Sequence, residues 1–368
     1  MKVPFNAIAV QDAPLREEIL AAIAGVVERG RFVLGEEGEA FEREFAPLAG
    51  CAHAAGVGSG TDAIRLALQA VGVKAGDDVV TVPMTATYTA LAISMLGARP
   101  VFCDVEPGTL TMDPAKLEAT ITPATRAIVP VHLYGQCADV RAIGAIADAR
   151  GIALVEDCAQ AILARFDGRP AGSFGAAAAF SFYPTKNLGA YGDGGAVTSN
   201  DAAVVERVKR LRNGGQSERY RHEEPGVNSR LDELQAAVLR VKLRRLAAAT
   251  DQRRAQAARY DSALKGLKLP AEAPGRRHVY HLYAVRHARR DALAAALAAA
   301  GIGTIIHYPV PVHLQPAYAP LALARGTFPE SESAADELLS LPLYPGLLQE
   351  QQDAVIEAVS AFTTAKAR

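Results

Sequence analysis

Lys186 stands in the run Ser181-Phe-Tyr-Pro-Thr-Lys186-Asn-Leu-Gly-Ala-Tyr-Gly-Asp-Gly-Gly195. Its flanks are aromatic residues, a leucine and glycines, so it reads as a lysine placed for covalent chemistry and not as a solvated surface charge. About one strand upstream, Ile152-Ala-Leu-Val-Glu156-Asp157-Cys158-Ala-Gln160 reads as a buried strand whose carboxylates emerge at its C-terminal end. Ligands of open α/β sheets collect there. Alternate residues of a strand face opposite ways, so Glu156 and Asp157 cannot both serve one ligand. A third group is Gly58-Ser59-Gly60-Thr61-Asp62, followed by the helical run Ala63-Ile-Arg-Leu-Ala-Leu68. Small residues let backbone N–H groups approach a phosphate, and the helix N-terminus favours its negative charge.

A lysine for a Schiff base, an acid for a pyridine nitrogen and a phosphate cup are what a pyridoxal 5'-phosphate enzyme requires. Lys186 meets the first requirement, and its amine, once displaced by an amino acid, can shuttle a proton. Asp157 meets the second, because a carboxylate bonded to the ring nitrogen keeps it protonated and makes the ring a stronger electron sink. Gly60 and Thr61, with a hydroxyl from Ser181, meet the third. Each residue has an ordinary alternative: Asp157 as a cap at a βα turn, Ser59 or Thr61 as a cap of the next helix. The combination carries the reading.

These groups need a scaffold that gathers strand ends. The chain has 368 residues, half of them apolar (50%) and 21% charged, enough for a large core and two domains. Between residues 56 and 200, helical stretches alternate with short apolar runs at 79–82, 100–105, 127–132, 152–155, 176–182 and 195–198. This is the βαβ rhythm of a mainly parallel sheet covered on both faces. Residues 231–246 space apolar side chains at three and four, and helical propensity continues to about 267, which predicts one long connecting helix. Beyond Pro270 come a strand at 280–285, a helix at 290–300 and a loop at 307–316. The expected division is a cofactor-binding large domain, 1–250, and a smaller C-terminal α/β domain, 251–368.

A net charge of −1 gives no case for nucleic acid or an anionic membrane. The start of the chain lacks a secretory signature, and the apolar stretch 293–300 is far shorter than the ~20 residues of a spanning helix. Cys51, Cys103, Cys137 and Cys158 are widely spaced without a C-x-x-C pair, which suits reduced thiols in a cytoplasmic protein. The histidines show no H-E-x-x-H or paired-ligand spacing, so no metal is expected.

In its ordered blocks the chain resembles, nearly end to end, the sugar aminotransferases of the DegT/DnrJ/EryC1/StrS group. The blocks are Val57-Gly-Ser-Gly-Thr-Asp-Ala-Ile64, Asp104-Val-Glu-Pro107 with Thr111-Met-Asp-Pro114, Pro130-Val-His-Leu-Tyr-Gly-Gln136, Glu156-Asp-Cys-Ala-Gln160, residues 181–195, Asn228-Ser-Arg-Leu-Asp-Glu233 and His307-Tyr-Pro309. The resemblance implies an aspartate aminotransferase-like fold (fold type I) and a homodimer with shared active sites. It makes Lys186 the Schiff-base lysine, Asp157 the pyridine-nitrogen partner and Gln160 a contact near the ring hydroxyl. Gly60, Thr61 and Ser181 hold the phosphate, and Asn228 reaches it across the dimer interface. Two positions depart from the family pattern. Ala86 stands where many members stack an aromatic residue on the ring, with Tyr88 two residues on, and Gly58 replaces a common asparagine. Relatives that use the cofactor for dehydration carry histidine at the lysine position, whereas this chain keeps Lys186.

The resemblance further implies L-glutamate as amino donor and a nucleotide-linked ketosugar as acceptor. The blocks at 183–189 and 306–318 look most like enzymes that aminate C3 of a dTDP-linked 3-keto-6-deoxyhexose in deoxyaminosugar biosynthesis. Tyr183, His307 and Tyr308 are candidates to line the sugar site, and Arg219 to meet the diphosphate. The rivals are amination at C4 of a 4-ketosugar, amination of a keto-cyclitol and, from another class, a non-catalytic regulatory dimer of the same fold. Retention of Lys186, Asp157 and Ser181 speaks against the last.

Overall fold

The apolar runs become a seven-stranded sheet in the computed structural model, which describes residues 2–365. Its strands are β1 (His53–Val57), β2 (Asp78–Thr81), β3 (Arg99–Phe102), β4 (Thr125–Ile128), β5 (Ala153–Asp157), β6 (Ala177–Ser181) and β7 (Gly195–Ser199). They lie in the order β1-β7-β6-β5-β4-β2-β3. Strands β2 to β6 are parallel to their neighbours, while β7 runs antiparallel to both β6 and β1. Every residue of β6 and β7 is buried, as strands covered on both faces must be. Strand β1 is not among the expected runs: His-Ala-Ala-Gly-Val has little β-branched content, and only its pairing with β7 makes it a strand.

Three helices pack on these strands and frame their C-terminal ends: α1 (Glu36–Phe45), α2 (Gly60–Ala70) and α3 (Tyr88–Met95). Helix α2 lays Ala63, Ile64, Leu66, Ala67 and Leu68 into the core that covers one sheet face. Behind β6, Phe180 and Phe182 meet Phe41 and Phe45 of α1 edge-on, with ring centroids 5.0 to 5.3 Å apart. Edge-to-face pairs add about 1 kcal/mol each to the area they bury. They fix the strand end from which the Lys186 loop departs.

The single connecting helix expected over 231–267 is instead two helices, α4 (Glu233–Leu243) and α5 (Leu246–Ala263). Arg244 and Arg245 form a turn between them, with Arg245 at φ −106°, ψ −3°. The two pieces serve different cores: α4 buries Ala236 and Leu239 beside the phenylalanine cluster, whereas α5 buries Ala257 and Tyr260 against the C-terminal strands. The expected division at residue 250 passes through α5. Strands β8 (Tyr283–Arg286) and β9 (Leu338–Leu341) pair antiparallel and are backed by α6 (Arg290–Ala299). Val3, near the chain start, bridges Ile302 and packs into this C-terminal core. Strand β8 begins later than expected, so His278 and His281 lie in the loop before it. Among the described residues no helix is long and apolar enough to cross a membrane.

Candidate active site

At the end of β5 the two adjacent acids part, as strand alternation requires. Asp157, 4% exposed, accepts hydrogen bonds from Thr89 Oγ1 (2.8 Å) on Oδ2 and from the Ala159 amide (3.0 Å) on Oδ1. Glu156 turns to the other face and is fully buried. His132 Nε2 (2.9 Å) and the Gly172 amide (2.9 Å) donate to its Oε2, and the amides of Phe174 (2.7 Å) and Gly175 (3.0 Å) donate to Oε1. The Ala138 amide donates to His132 Nδ1, which places the ring proton on Nε2. Burial alone would push the Glu156 carboxyl up, but the bonds from His132, Gly172 and Gly175 hold it below its ordinary value. His132, Glu156 and Cys158 lie close enough to hold a metal ion, but the histidine and the carboxylate already spend their ligand atoms on these bonds.

Glu156→Gln should therefore cost about 3 kcal/mol at neutral pH, because the amide's NH2 would face two donors, His132 Nε2–H and the Gly172 amide. A carboxyl whose folded pKa is depressed contributes stability that is present above its unfolded value of about 4.3 and is lost as pH falls through the folded one. Denaturation midpoints measured against pH should show the gap between wild type and variant closing below about pH 4. A constant gap down to strong acid would refute the assignment.

Lys186 keeps some exposed surface, but protein crowds its amine. Desolvation lowers it to about 8, against the opposing attraction of Asp157. Gly189 is needed in this loop, since a Cβ there would meet the Pro184 carbonyl oxygen at 2.3 Å. Burial, and then the charge of Lys186, lowers His307 to about 4, so its ring is neutral near pH 7. His281 is pushed well down by the same two causes. Gln160 is held at both ends: its Oε1 accepts from the Tyr134 amide (2.6 Å) and its Nε2 donates to the Tyr308 hydroxyl (3.0 Å). Burial raises the Tyr308 phenol to about 12; the Gln160 bond opposes this, and the charges of Asp157 and Tyr88 add to it. The Tyr134 hydroxyl donates to the His307 carbonyl and so ties the β4–β5 side of the site to the C-terminal loop.

The turn before α2 closes on the end of β6. A Cβ on Gly60 would lie 2.6 Å from Ser181 Cβ, so only glycine lets the helix N-terminus and the serine hydroxyl share one concavity. Ser59 caps the helix, its side chain accepting from the Asp62 amide (3.1 Å). Ser229 Oγ accepts from the Gly58 amide (3.0 Å) and donates to Asp62 (2.7 Å), which locks the 228–230 loop beside the same turn. Thr61 follows Gly60 in the first turn of α2, partly open.

A lysine of lowered proton affinity, a fixed buried carboxylate and an anion-ready helix start thus converge at the C-terminal ends of β5 and β6. The profile of the DegT/DnrJ/EryC1/StrS aminotransferase family matches residues 14–360 of this chain. The chain belongs to that family. It is 51% identical over 357 residues to the dTDP-3-amino-3,4,6-trideoxy-alpha-D-glucose transaminase of Micromonospora megalomicea subsp. nigra, covering 95% of this chain and 96% of the relative. It is 46% identical over 367 residues to a Geobacillus stearothermophilus protein named pleiotropic regulatory protein, covering 98% and 99%. A crystal structure of S. venezuelae DesV in complex with a ketimine intermediate superposes with a TM-score of 0.97 at 48% identity, over 100% of both chains.

For an aminotransferase of this family the residues present fit pyridoxal phosphate. The cradle between Gly60 and Ser181 admits no larger side chain, and the Asp157 carboxylate is held at two oxygens while carrying no ion pair among the described residues. Tyr88, the first residue of α3, is 62% exposed, adjoins the Thr89 that fixes Asp157, and acts electrostatically on Tyr308. Tyr88 is the aromatic residue of this segment, two residues beyond Ala86. Tyr183 is 53% exposed, on the rim of the Lys186 loop. Within one chain Asn228 is exposed, and Arg219 sits on the exposed hairpin 216–222 with its guanidinium over the Tyr220 ring at 5.0 Å. Neither is drawn into the cluster formed by Asp157, Gln160, Lys186, His307 and Tyr308. Thr89 and Tyr134 were not singled out by motif reading. Thr89 carried one available signal, its place one residue after an aromatic in the segment already suspected of flanking the ring.

Proposed function

We propose that the protein is a pyridoxal phosphate-dependent transaminase that moves the amino group of L-glutamate to C3 of a dTDP-linked 3-keto-6-deoxyhexose, working in the cytoplasm as a homodimer with shared active sites. The observation that carries this reading is the meeting of Lys186, Asp157 and the Gly60–Ser181 cradle at the C-terminal ends of β5 and β6. The identity to a relative named for a 3-amino sugar supports the acceptor carbon. Four buried cysteines, all unpaired, suit a reducing compartment.

When bound, pyridoxal phosphate supplies the electron sink for the bond broken at the substrate's carbon. Lys186 then takes and returns the proton, a role for which an amine near 8 is suited. Asp157 would accept a hydrogen bond from the cofactor's ring nitrogen, Gln160 would contact its ring hydroxyl, and Tyr88 would offer an aromatic face where Ala86 has none. Gly60, Thr61 and Ser181 hold the phosphate. Asn228, exposed beside the Ser229 lock, is free to reach a second subunit's phosphate. Tyr183, His307 and Tyr308 line the sugar, with Arg219 at the diphosphate.

The test is spectroscopic. Protein loaded with the cofactor should lose its visible band on addition of L-glutamate and regain it with a dTDP-3-ketosugar faster than with a 4-ketosugar or a keto-cyclitol. Faster return with either rival would move the acceptor assignment. Failure of every amino acid to bleach the band would favour the regulatory reading that the Geobacillus relative's name suggests.

A further inference from the structure

A cavity of about 340 Å³ opens beside the Lys186 loop, lined among others by Phe5, Asn6, Thr185, Arg253, His281 and His307. That volume falls in the range of ~300–1,000 Å³ typical of small-molecule sites. Arg253 projects from α5 and is 3% exposed. Its Nη1 donates to the carbonyls of Tyr280 (3.3 Å), His281 (3.5 Å) and Leu343 (3.0 Å). Among the described residues no protein acceptor meets Nε or Nη2, and no carboxylate pairs with the group. No aspartate or glutamate lines the cavity. Desolvation lowers this guanidinium to about 10, so it stays charged at neutral pH.

A buried cation with three of its five N–H donors meeting no protein acceptor is costly unless an anion completes it. The other polar groups do not supply one. His281 donates from Nδ1 to Asn187 Oδ1 (3.2 Å), whose amide is itself fixed on the Val279 carbonyl (3.2 Å), and burial keeps both His281 and His307 neutral. Among the residues lining the cavity Arg253 carries the charge, and Thr185, which also lines it, immediately precedes the reactive lysine. We infer that Arg253 is the anchor for a carboxylate of the amino donor, received in this cavity while the donor's amine meets Lys186. The inference rests on the transaminase reading and adds to it the donor's seat. A guanidinium edge matches a carboxylate with two parallel hydrogen bonds. A dTDP-linked deoxyketosugar has no carboxylate, so the two half-reactions should depend on Arg253 unequally.

The experiment compares wild type and Arg253→Lys, both loaded with cofactor. Arg253→Lys should need roughly 30-fold more L-glutamate for half-maximal bleaching of the visible band, with the ketosugar step changed less than about threefold. Independently of turnover, glutarate should raise the melting temperature of wild type but not of the variant, and its neutral diamide, glutaramide, should raise neither. Equal losses in both half-reactions, or equal glutarate shifts in both proteins, would reduce Arg253 to a staple of three carbonyls and overturn the inference. Should the variant fail to fold, wild type alone decides: glutarate must inhibit glutamate conversion at concentrations at least about tenfold lower than its neutral diamide glutaramide, and equal inhibition overturns the proposal. If no amino acid bleaches wild type at all, the transaminase reading itself has failed, whatever Arg253 does.

Discussion

Lys186→Ala should abolish the visible band of the protein–cofactor complex and lower turnover by at least ~10⁴-fold, since one side chain supplies both the covalent hold and the proton carrier. Its folding should not suffer. Among the described residues the Lys186 side chain makes no hydrogen bond or ion pair, and its removal takes away a crowded charge. An amine at about 8 also sets a pH signature in the wild type. At pH 7 roughly a tenth of it is neutral and nucleophilic, against roughly 0.03% for an ordinary lysine. Capture of pyridoxal phosphate by the cofactor-free protein should accelerate about tenfold per pH unit up to about 8 and then level off. A rate still climbing past pH 9 would mean that the amine is solvated and that its crowding has no chemical consequence.

The chemistry was legible in the sequence wherever a residue's own neighbours determine its surroundings. Lys186 sits among aromatic and small residues, and β5 presents its acids at a strand end, so period-two alternation alone separates Glu156 from Asp157. Gly60 and Ser181 are each expected to contribute to one phosphate cup, but their close approach, 2.6 Å for a Cβ at position 60, appears only in the fold. What was hidden depends on distant chain segments. Thr89 reaches Asp157 across 68 residues, and Gln160 reaches Tyr308 across 148. The interruption between α4 and α5 is invisible in apolar spacing, because it separates two helices that each remain helical but pack on different cores. Tyr88 opens α3 beside Thr89, whose bond to Asp157 ties this turn to the end of β5, a tie that the spacing from Pro83 does not reveal. Arg253 gave no local signal at all, since an arginine in an Arg-rich helix reads as solvated until the fold buries it.

Asp157→Asn provides the sharpest separation of function from stability, because its neighbour Glu156 provides the opposite case. An asparagine can still accept from the Ala159 amide through Oδ1, and its NH2 can donate to Thr89 Oγ1, whose hydroxyl rotates to accept. The geometry survives while the charge is lost. A neutral amide cannot hold a proton on the ring nitrogen, so turnover should fall about 10²- to 10³-fold, equivalent to roughly 3 to 4 kcal/mol of barrier. The melting temperature should fall by no more than a few degrees, because the hydroxyl hydrogen of Thr89, a residue 2% exposed, is the donor that loses its acceptor. Glu156→Gln should do the reverse, losing stability while its folded fraction turns over normally, since that side chain faces the His132 and Gly172–Gly175 side of the sheet. Parallel measurement of turnover and unfolding on the two variants tests the division directly. If Asp157→Asn turned over like wild type, Asp157 would be no more than the cap of a βα turn, and the ring-nitrogen partner would have to be sought elsewhere.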